Sequence, residues 1–323
     1  MTTVGSPHIL VIGAGSIGAR HVRNLTEAGA VVVVTDPDGA RAAAVAAETG
    51  ATALPFDLDR LDAAGAMDGA VVASPTSHHR EQAEALLASV PRLLVEKPLS
   101  LDASSAATLI AHTDRVAVAY NLRFHDPVRK LVDLVEAGQA GTVTDVRLWF
   151  GSWLPDWRPS VDYRTTYSAQ SELGGGVLLD AIHELDLLVW LCGPGPHEVI
   201  GAVVDRLGPL DIDVDDTVKA LVRTSGGPVA TVSLDYLARR YRRGMEVTGD
   251  RATIRLDWAR AVLEVEDAGQ VHSEPVTTPV EASYARQAEA FVAWLKGGAQ
   301  LPVDAVTGAA SLALADDLRT ASR

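Results

Sequence analysis

Cysteine is almost missing from this 323-residue sequence. Cys192 stands alone, so neither a disulfide framework nor a multi-thiolate zinc site can be built. Positive charge is also short: 28 Lys and Arg face 42 Asp and Glu, a formal net charge of −14 with an isoelectric point near 5.0. A chain this acidic repels phosphate backbones and anionic lipid, which excludes nucleic acid and membrane surfaces as expected partners. No apolar run approaches the ~18 residues needed to span a bilayer. The first apolar stretch, His8–Ile12, is short and runs into a glycine-rich turn, unlike a secretory signal. Metal ligands are sparse as well. His78-His79 lacks companions at metal-site spacing, and Asp211–Asp216 reads as a strand-entry turn, so no metal is expected. What is expected is a globular, cytoplasmic protein. With 47% hydrophobic residues and a length past the ~250 residues at which single cores stop growing, about two domains are expected.

The first 120 residues alternate short apolar runs with alanine-rich stretches of helical period. Ile9–Ile12, Val31–Thr35, Ala70–Ser74, Leu93–Glu96 and Val116–Ala119 read as strands, without the polar alternation of a half-exposed sheet. Ile17–Glu27, Ala40–Thr49, His79–Ser89 and Asp102–His112 read as helices between them. Strand and helix in alternation predict a doubly wound parallel sheet over residues 1–120. After Tyr120 the texture changes. A helix at Pro127–Ala137 leads to a strand at Val143–Phe150, a long polar and aromatic loop at Gly151–Glu172, and one helix over Gly176–Trp190. Strands are expected at Val199–Asp205, Thr217–Thr224, Val229–Tyr236, Met245–Gly249 and Ala252–Asp257, joined by short turns as in an antiparallel sheet. Helices at Ala282–Lys296 and Ala305–Thr320 close the chain. The second domain, 121–323, is therefore α+β, with its last helix expected to pack back on the first domain.

The strongest local signal is Gly13-Ala-Gly15-Ser16-Ile17-Gly18. It follows a strand and opens a helix, the arrangement in which Gly13 makes the tight turn, Gly15 admits a pyrophosphate and Gly18 lets helix and strand pack closely. The amides of Ser16 and Ile17 then lie at a positive helix end suited to phosphate. Asp36 closes the next strand, where a carboxylate accepts from ribose hydroxyls and repels a 2′-phosphate, so NAD is expected over NADP. Asp36-Pro37-Asp38-Gly39 is also a good turn sequence, and both readings can hold together. Lys97 follows the strand Leu93–Glu96, at the carboxyl edge of the sheet, where an ammonium can bind a substrate hydroxyl and steady a developing alkoxide.

Four motifs occur in register: the glycine fingerprint, Glu96-Lys97-Pro98, Tyr120-Asn121-Leu-Arg123-Phe124, and Gly174-Gly-Gly-Val-Leu-Leu-Asp180-Ala-Ile-His183. Ser74-Pro75-Thr76 with His79 and the closing Pro302-Val303-Asp304 accompany them. Together they resemble the glucose–fructose oxidoreductase, inositol dehydrogenase and rhizopine catabolism (Gfo/Idh/MocA) family over essentially the whole chain. The resemblance implies a Rossmann domain joined to an α/β domain with an open, mostly antiparallel sheet, and a substrate held between that sheet and the nicotinamide. It implies that Ser74, Pro75, Thr76, His79, Glu96 and Lys97 serve the cofactor, that Lys97 contributes to catalysis, and that a cis peptide precedes Pro98. It further implies sugars, cyclitols or related polyols as substrates, and a homodimer or homotetramer packed through the open sheet.

Oxidising a secondary alcohol needs a base, and His183 suits proton exchange at neutral pH. Asp180 stands three residues before His183, whereas many relatives place this aspartate four before. Both spacings share one face of a continuous helix, so Asp180 is expected to orient His183 or bind a neighbouring hydroxyl. Asn121, Arg123, Trp157, Arg158, Tyr163, Arg164 and Tyr167 are candidate substrate contacts. Aromatic faces stack on sugar rings and arginines bind anions, so the set suggests an anionic or nucleotide-linked sugar. Arg239-Arg240-Tyr241-Arg242-Arg243 reads either as a solvated hairpin end or as an anion-binding rim. Two other functions remain open: a biosynthetic ketosugar or imine reductase, and a non-catalytic NAD and sugar sensor, against which the Lys97 and His183 pair argues.

Overall fold

The computed structural model describes residues 5–58 and 66–322. By Cα proximity the chain divides into two compact units, Met1–Phe124 with Val280–Ala309, and His125–Pro279 with Ala310–Arg323.

The first unit is built on six parallel strands: β1 (His8–Ile12), β2 (Val31–Asp36), β3 (Thr52–Pro55), β4 (Gly69–Val72), β5 (Leu93–Val95) and β6 (Val116–Val118). Their order is β3-β2-β1-β4-β5-β6, so the winding reverses between β1 and β4, the point at which doubly wound sheets bind their ligands. Helices α1 (Ser16–Glu27), α2 (Gly39–Thr49), α3 (His79–Leu87) and the short α4 (Ala107–Ile110) make the crossovers. The strands lack polar alternation because both faces are covered: β1 from Ile9 onward and all of β4, β5 and β6 are buried. α1 buries Gly18, His21, Val22 and Leu25, a stripe at helical spacing. α2 starts at Asp38, whose side chain accepts from the Arg41 amide, and stops at Gly50 in the left-handed conformation. Ala117 bridges Asp304 antiparallel, and the Val118 amide donates to the Val303 carbonyl, so the segment before the last helix extends this sheet.

The second unit holds α5 (Asp126–Glu136), β7 (Val143–Gly151), α6 (Val177–Asp180), α7 (His183–Cys192) and seven further strands. These are β8 (Glu198–Asp205), β9 (Thr217–Arg223), β10 (Val229–Asp235), β11 (Arg242–Gly249), β12 (Ala252–Asp257), β13 (Val262–Asp267) and β14 (Gln270–Pro275). The eight-stranded sheet runs β14-β13-β12-β11-β7-β10-β9-β8 and is antiparallel except between β7 and β10. α7 lies against β7 and β10, and α5 against β12. Helices α8 (Glu281–Leu295) and α9 (Ala305–Ala321) complete the chain.

Several sequence expectations are corrected. β3, β13 and β14 were not foreseen: β3 is four residues of mixed exposure and β14 is exposed throughout, so neither carries the apolar signal of a strand. The helix expected over Asp102–His112 is a 3₁₀ turn followed by one α turn. The single helix expected over Gly176–Trp190 is broken at residues 181–182, although no proline or glycine stands there. The two faces of β10 alternate. The apolar face, Ala230, Val232 and Leu234, is buried, while Thr231 and Ser233 lie opposite Leu221 and Lys219 on a mixed polar face.

Candidate active site

At the switch point of the parallel sheet, the glycines do three different jobs. Gly13 has φ +102°, and a Cβ there would lie 2.6 Å from the Ala73 carbonyl oxygen. A Cβ on Gly18 would fall 1.9 Å from the Gly13 carbonyl oxygen, so the helix meets the strand only because no side chain intervenes. Gly15 faces open space. It is the N-cap of α1, which has no side-chain cap and no acidic residue in its first turn. The first amides of α1 and its positive end are thus left for an anion, and the residues present fit a dinucleotide pyrophosphate. Asp36 lies at the end of β2, 7% exposed. Its Oδ2 accepts from the Ala14 amide at 2.7 Å and its Oδ1 from the Asp38 amide at 2.8 Å, with Arg41 at 3.8 Å. It therefore braces the glycine loop and starts the turn, and each oxygen retains a second acceptor position for a hydroxyl.

The lysine turn sits at the ends of β4 and β5. The Lys97–Pro98 peptide is cis. Glu96 is buried, and its Oε1 pairs with His21 Nε2 of α1 at 2.7 Å. Burial pushes the Glu96 carboxyl up, but the His21 hydrogen bond and charge, with Lys97, outweigh it and hold the group below its ordinary value. The other oxygen accepts from the Lys97 amide at 3.1 Å. His79 is 1% exposed, with Nδ1 2.7 Å from the Pro98 carbonyl and Nε2 2.9 Å from the Ser74 carbonyl. Burial depresses its pKa, opposed by those two carbonyls and the Glu96 charge. Ser74 Oγ donates to Gln82 Oε1 at 2.7 Å, and Thr76, after Pro75, is buried at the head of the 3₁₀ turn before α3. Asn121 also belongs to this unit, donating to Ser283 Oγ of α8 at 2.7 Å, and Arg123 is buried two residues on.

In the second unit, Asp180 closes α6 and His183 opens α7. The two therefore do not share one face of a continuous helix. Both are 8% exposed. Instead, the Asp180 carboxylate gathers two phenols from distant positions: Tyr167 donates to Oδ1, and Tyr236, fully buried after β10, donates to Oδ2 at 2.6 Å. Burial and the Asp180 charge raise both phenols well above their ordinary range, so they act as fixed donors and not as bases. Trp157 stands edge-on to Tyr236, ring centroids 5.3 Å apart, and edge-on to Phe150. Leu154, Trp157, Arg158, Tyr163, Thr166 and Ser168 line a shallow open depression.

The arginines of this region divide. Arg164 forms a two-pronged pair with Asp162 at 2.9 and 2.6 Å and reaches Asp211 at 3.7 Å. Its pKa is raised by that pairing, so it is engaged locally and is absent from the lining of the depression. Arg158 forms no ion pair among the described residues. In the basic run, Arg239 stacks on Trp153, Arg242 pairs with Asp235, and Arg243 pairs with buried Glu184 at 2.7 Å. Three of its four arginines thus have partners inside the unit. The acidic stretch fastens the loop. Asp213 accepts from the Ser171 amide and hydroxyl, and Asp215 from the Leu178 amide. Asp216 accepts from Leu207, Gly208 and Thr217. Among the described residues, no group of three or more His, Cys, Asp and Glu side chains is placed to hold a metal ion, and no helix is long and apolar enough to cross a membrane.

Two site residues escaped the sequence reading, although each left a signal. His21 is a polar residue on the buried stripe of α1, and Tyr236 falls on the apolar face of β10. A buried ring nitrogen or phenol requires a polar partner.

Comparison with known proteins gives a consistent picture. Residues 8–124 match a family model described as an oxidoreductase family with an NAD-binding Rossmann fold, and residues 128–255 match the GFO/IDH/MocA C-terminal domain. Inositol 2-dehydrogenase of Rhizobium meliloti (strain 1021) is 29% identical over 325 residues, covering 95% of this chain and 94% of that protein. The dTDP-3,4-didehydro-2,6-dideoxy-alpha-D-glucose 3-reductase of Saccharopolyspora spinosa is 30% identical, covering 86% and 83%. Among solved structures, a levoglucosan dehydrogenase in complex with NADH and levoglucosan superposes with a TM-score of 0.84 at 20% identity, covering 98% of this chain and 97% of that one. At that identity the likeness speaks for the fold.

Proposed function

The chain belongs to the Gfo/Idh/MocA oxidoreductases, and from that premise we propose that it interconverts a secondary alcohol and a ketone on a sugar or cyclitol derivative. It is an NAD-binding enzyme of that family. The observation that carries the reading is the pairing of the bare, uncapped start of α1 behind Gly13 and Gly15 with a lysine turn held at the same sheet edge. Gly15, Ser16 and Ile17 would hold the pyrophosphate on a loop shaped by Gly13 and Gly18, and Asp36 would hold the adenosine ribose. Bound there, NAD would supply the hydride acceptor or donor for the substrate carbon.

The remaining chemistry belongs to the chain. Lys97 hydrogen-bonds the reacting oxygen and steadies its developing negative charge. His183 exchanges the hydroxyl proton. Asp180, its two oxygens each receiving a phenol, serves as a fixed anion that orders this part of the site and not as the base. Trp157 and Tyr163 offer flat faces to a sugar ring. Arg158, the lining residue with positive charge and no ion pair among the described residues, favours a substrate carrying a carboxylate. A homodimer or homotetramer would use the mixed face of the second sheet, where Val203 and Leu221 are exposed.

Initial rates with NAD across inositols, aldoses, uronic acids and nucleotide sugars test the proposal. Turnover of at least one, lost in Lys97→Ala and His183→Ala, is expected. Binding of both NAD and a sugar without turnover would instead support a sensor.

A further inference from the structure

We propose that His21 and His79 are positioning residues for Lys97, two buried histidines that lock the Glu96-Lys97-Pro98 turn from opposite directions. The proposal rests on the reading that Lys97 meets the substrate oxygen. It assigns both histidines to the lysine turn and takes His79 and Glu96 out of direct cofactor contact.

The lock has two arms. Through the first, His21 of α1 holds Glu96 Oε1 at 2.7 Å, and Glu96 Oε2 receives the Lys97 backbone amide at 3.1 Å. Through the second, the His79 ring spans the Pro98 and Ser74 carbonyls at 2.7 and 2.9 Å. The turn is thereby held on both sides of Lys97, by the amide of the peptide before it and by the carbonyl of Pro98 after it. The arms start from different helices, α1 behind the glycine loop and α3 behind β4. The same contacts tie the lysine turn to the exit of β4 at Ser74 and to the helix whose first turn awaits the pyrophosphate.

Chemical accounting supports the reassignment. His79 is 1% exposed and each ring nitrogen lies against a main-chain carbonyl, one of which receives the single N–H of the neutral ring while the other shields the second nitrogen. No ring nitrogen is left over for a nicotinamide or ribose group. His21 and Glu96 are 3% and 6% exposed, and each satisfies the other in a place where an orphaned polar group would be costly. The arrangement gives a flexible four-carbon ammonium stem a rigid root. A displacement of ~1 Å at such a group can cost on the order of 10²-fold in rate.

The test uses the full chain and the scarcity of lysine: Lys97, Lys130, Lys219 and Lys296 are the only four. Reductive methylation with ¹³C-formaldehyde gives each a resolvable NMR signal, and Lys97→Arg assigns the one for Lys97. In His21→Leu, Glu96→Gln and His79→Leu, the Lys97 signal is expected to shift or broaden. The NADH dissociation constant from fluorescence should stay within about twofold. With a substrate that the wild-type enzyme turns over, kcat should fall at least about tenfold while KM for NAD holds. Two conservative changes give the rescue. His21→Gln keeps a donor toward Glu96, and His79→Asn keeps one toward Pro98, so each should recover most of the loss. If His21→Leu fails to fold, Glu96→Gln carries the first arm, because it keeps the shape of the pair but offers the Lys97 amide a donor in place of an acceptor. An unmoved Lys97 signal overturns the proposal, whether NADH affinity falls or only the melting temperature does. The NMR and NADH measurements need no turnover, so failure to find a substrate would count against the oxidoreductase assignment and leave the lock to be judged on its own readout.

Discussion

The two units weight their polar contacts differently. In the first, most site side chains fasten main-chain groups: Asp36 on Ala14 and Asp38, Glu96 on the Lys97 amide, His79 against two carbonyls, with His21 on Glu96 and Asn121 on Ser283 as the long-range side-chain pairs. In the second, side chain meets side chain across long stretches of sequence. Asp180 takes Tyr236 from 56 residues away, and Arg243 reaches Glu184 across 59. A motif-borne site is fixed by backbone geometry and tolerates few changes of shape. A site gathered from afar is fixed by the loop that delivers its members, and it is free to vary with substrate.

The largest expected effect probes the first kind. Lys97→Ala should lower kcat by roughly 10²–10⁴-fold, about 3–5 kcal/mol of barrier, with thermal stability unchanged, measured by steady-state kinetics and calorimetry. Gly18→Ala should destabilise by about 1–3 kcal/mol, because its Cβ would meet backbone 1.9 Å away and not a yielding side chain. Gly15→Ala, facing open space, should change stability little and weaken NADH instead. Urea unfolding with a fluorescence titration separates the two. Equal loss of stability in both would end the distinction between shape and binding glycines.

Tyr236→Phe probes the gathered site. It removes a buried donor from Asp180 and should cost about 1–3 kcal/mol in stability, more than Tyr167→Phe, whose ring is half-buried. Asp36→Ala should relax discrimination against NADP, read as the ratio of kcat/KM for the two cofactors. Unchanged preference would refute the ribose role.

The smallest effect is the pH dependence of the lock. Burial holds His79 below its ordinary 6.5, so as pH falls the unfolded chain takes up this proton first. Its stabilising contribution is complete above about 6.5 and is lost as pH falls from there through the folded-state value, at no more than about 1.4 kcal/mol per pH unit. Glu96, held below 4.5, contributes above that value and loses its contribution at lower pH. Urea midpoints between pH 7 and 5 should therefore decline, and less steeply in His79→Asn.

The contrast between the units also explains what could be read from sequence. Unalternated Val, Ile and Leu runs announced five of the six parallel strands because burial on both faces writes itself into composition. β3, with no buried residue, did not. The glycine loop and lysine turn were legible because their chemistry is local. The break between Asp180 and His183 was not, since no breaker residue stands there and Asp180 is tied to phenols brought by another loop and by β10. The arginines illustrate the same limit. Arg158 and Arg164 look alike in sequence, yet Asp162 occupies one and not the other. The basic run lost its character as a free rim once Asp235, Glu184 and Trp153 proved to be its partners.

The most direct test of the central claim is absorbance at 340 nm. Wild-type protein and Lys97→Ala would be compared with NAD across inositols, aldoses and uronic acids. The account predicts NADH formation by the wild type on at least one of them, strongest for a carboxylate-bearing sugar and weakened there by Arg158→Gln. In Lys97→Ala, turnover should fall at least about 100-fold while NADH binding persists. Turnover at wild-type rates in Lys97→Ala, or binding of sugar and NAD with no change in absorbance, would contradict it.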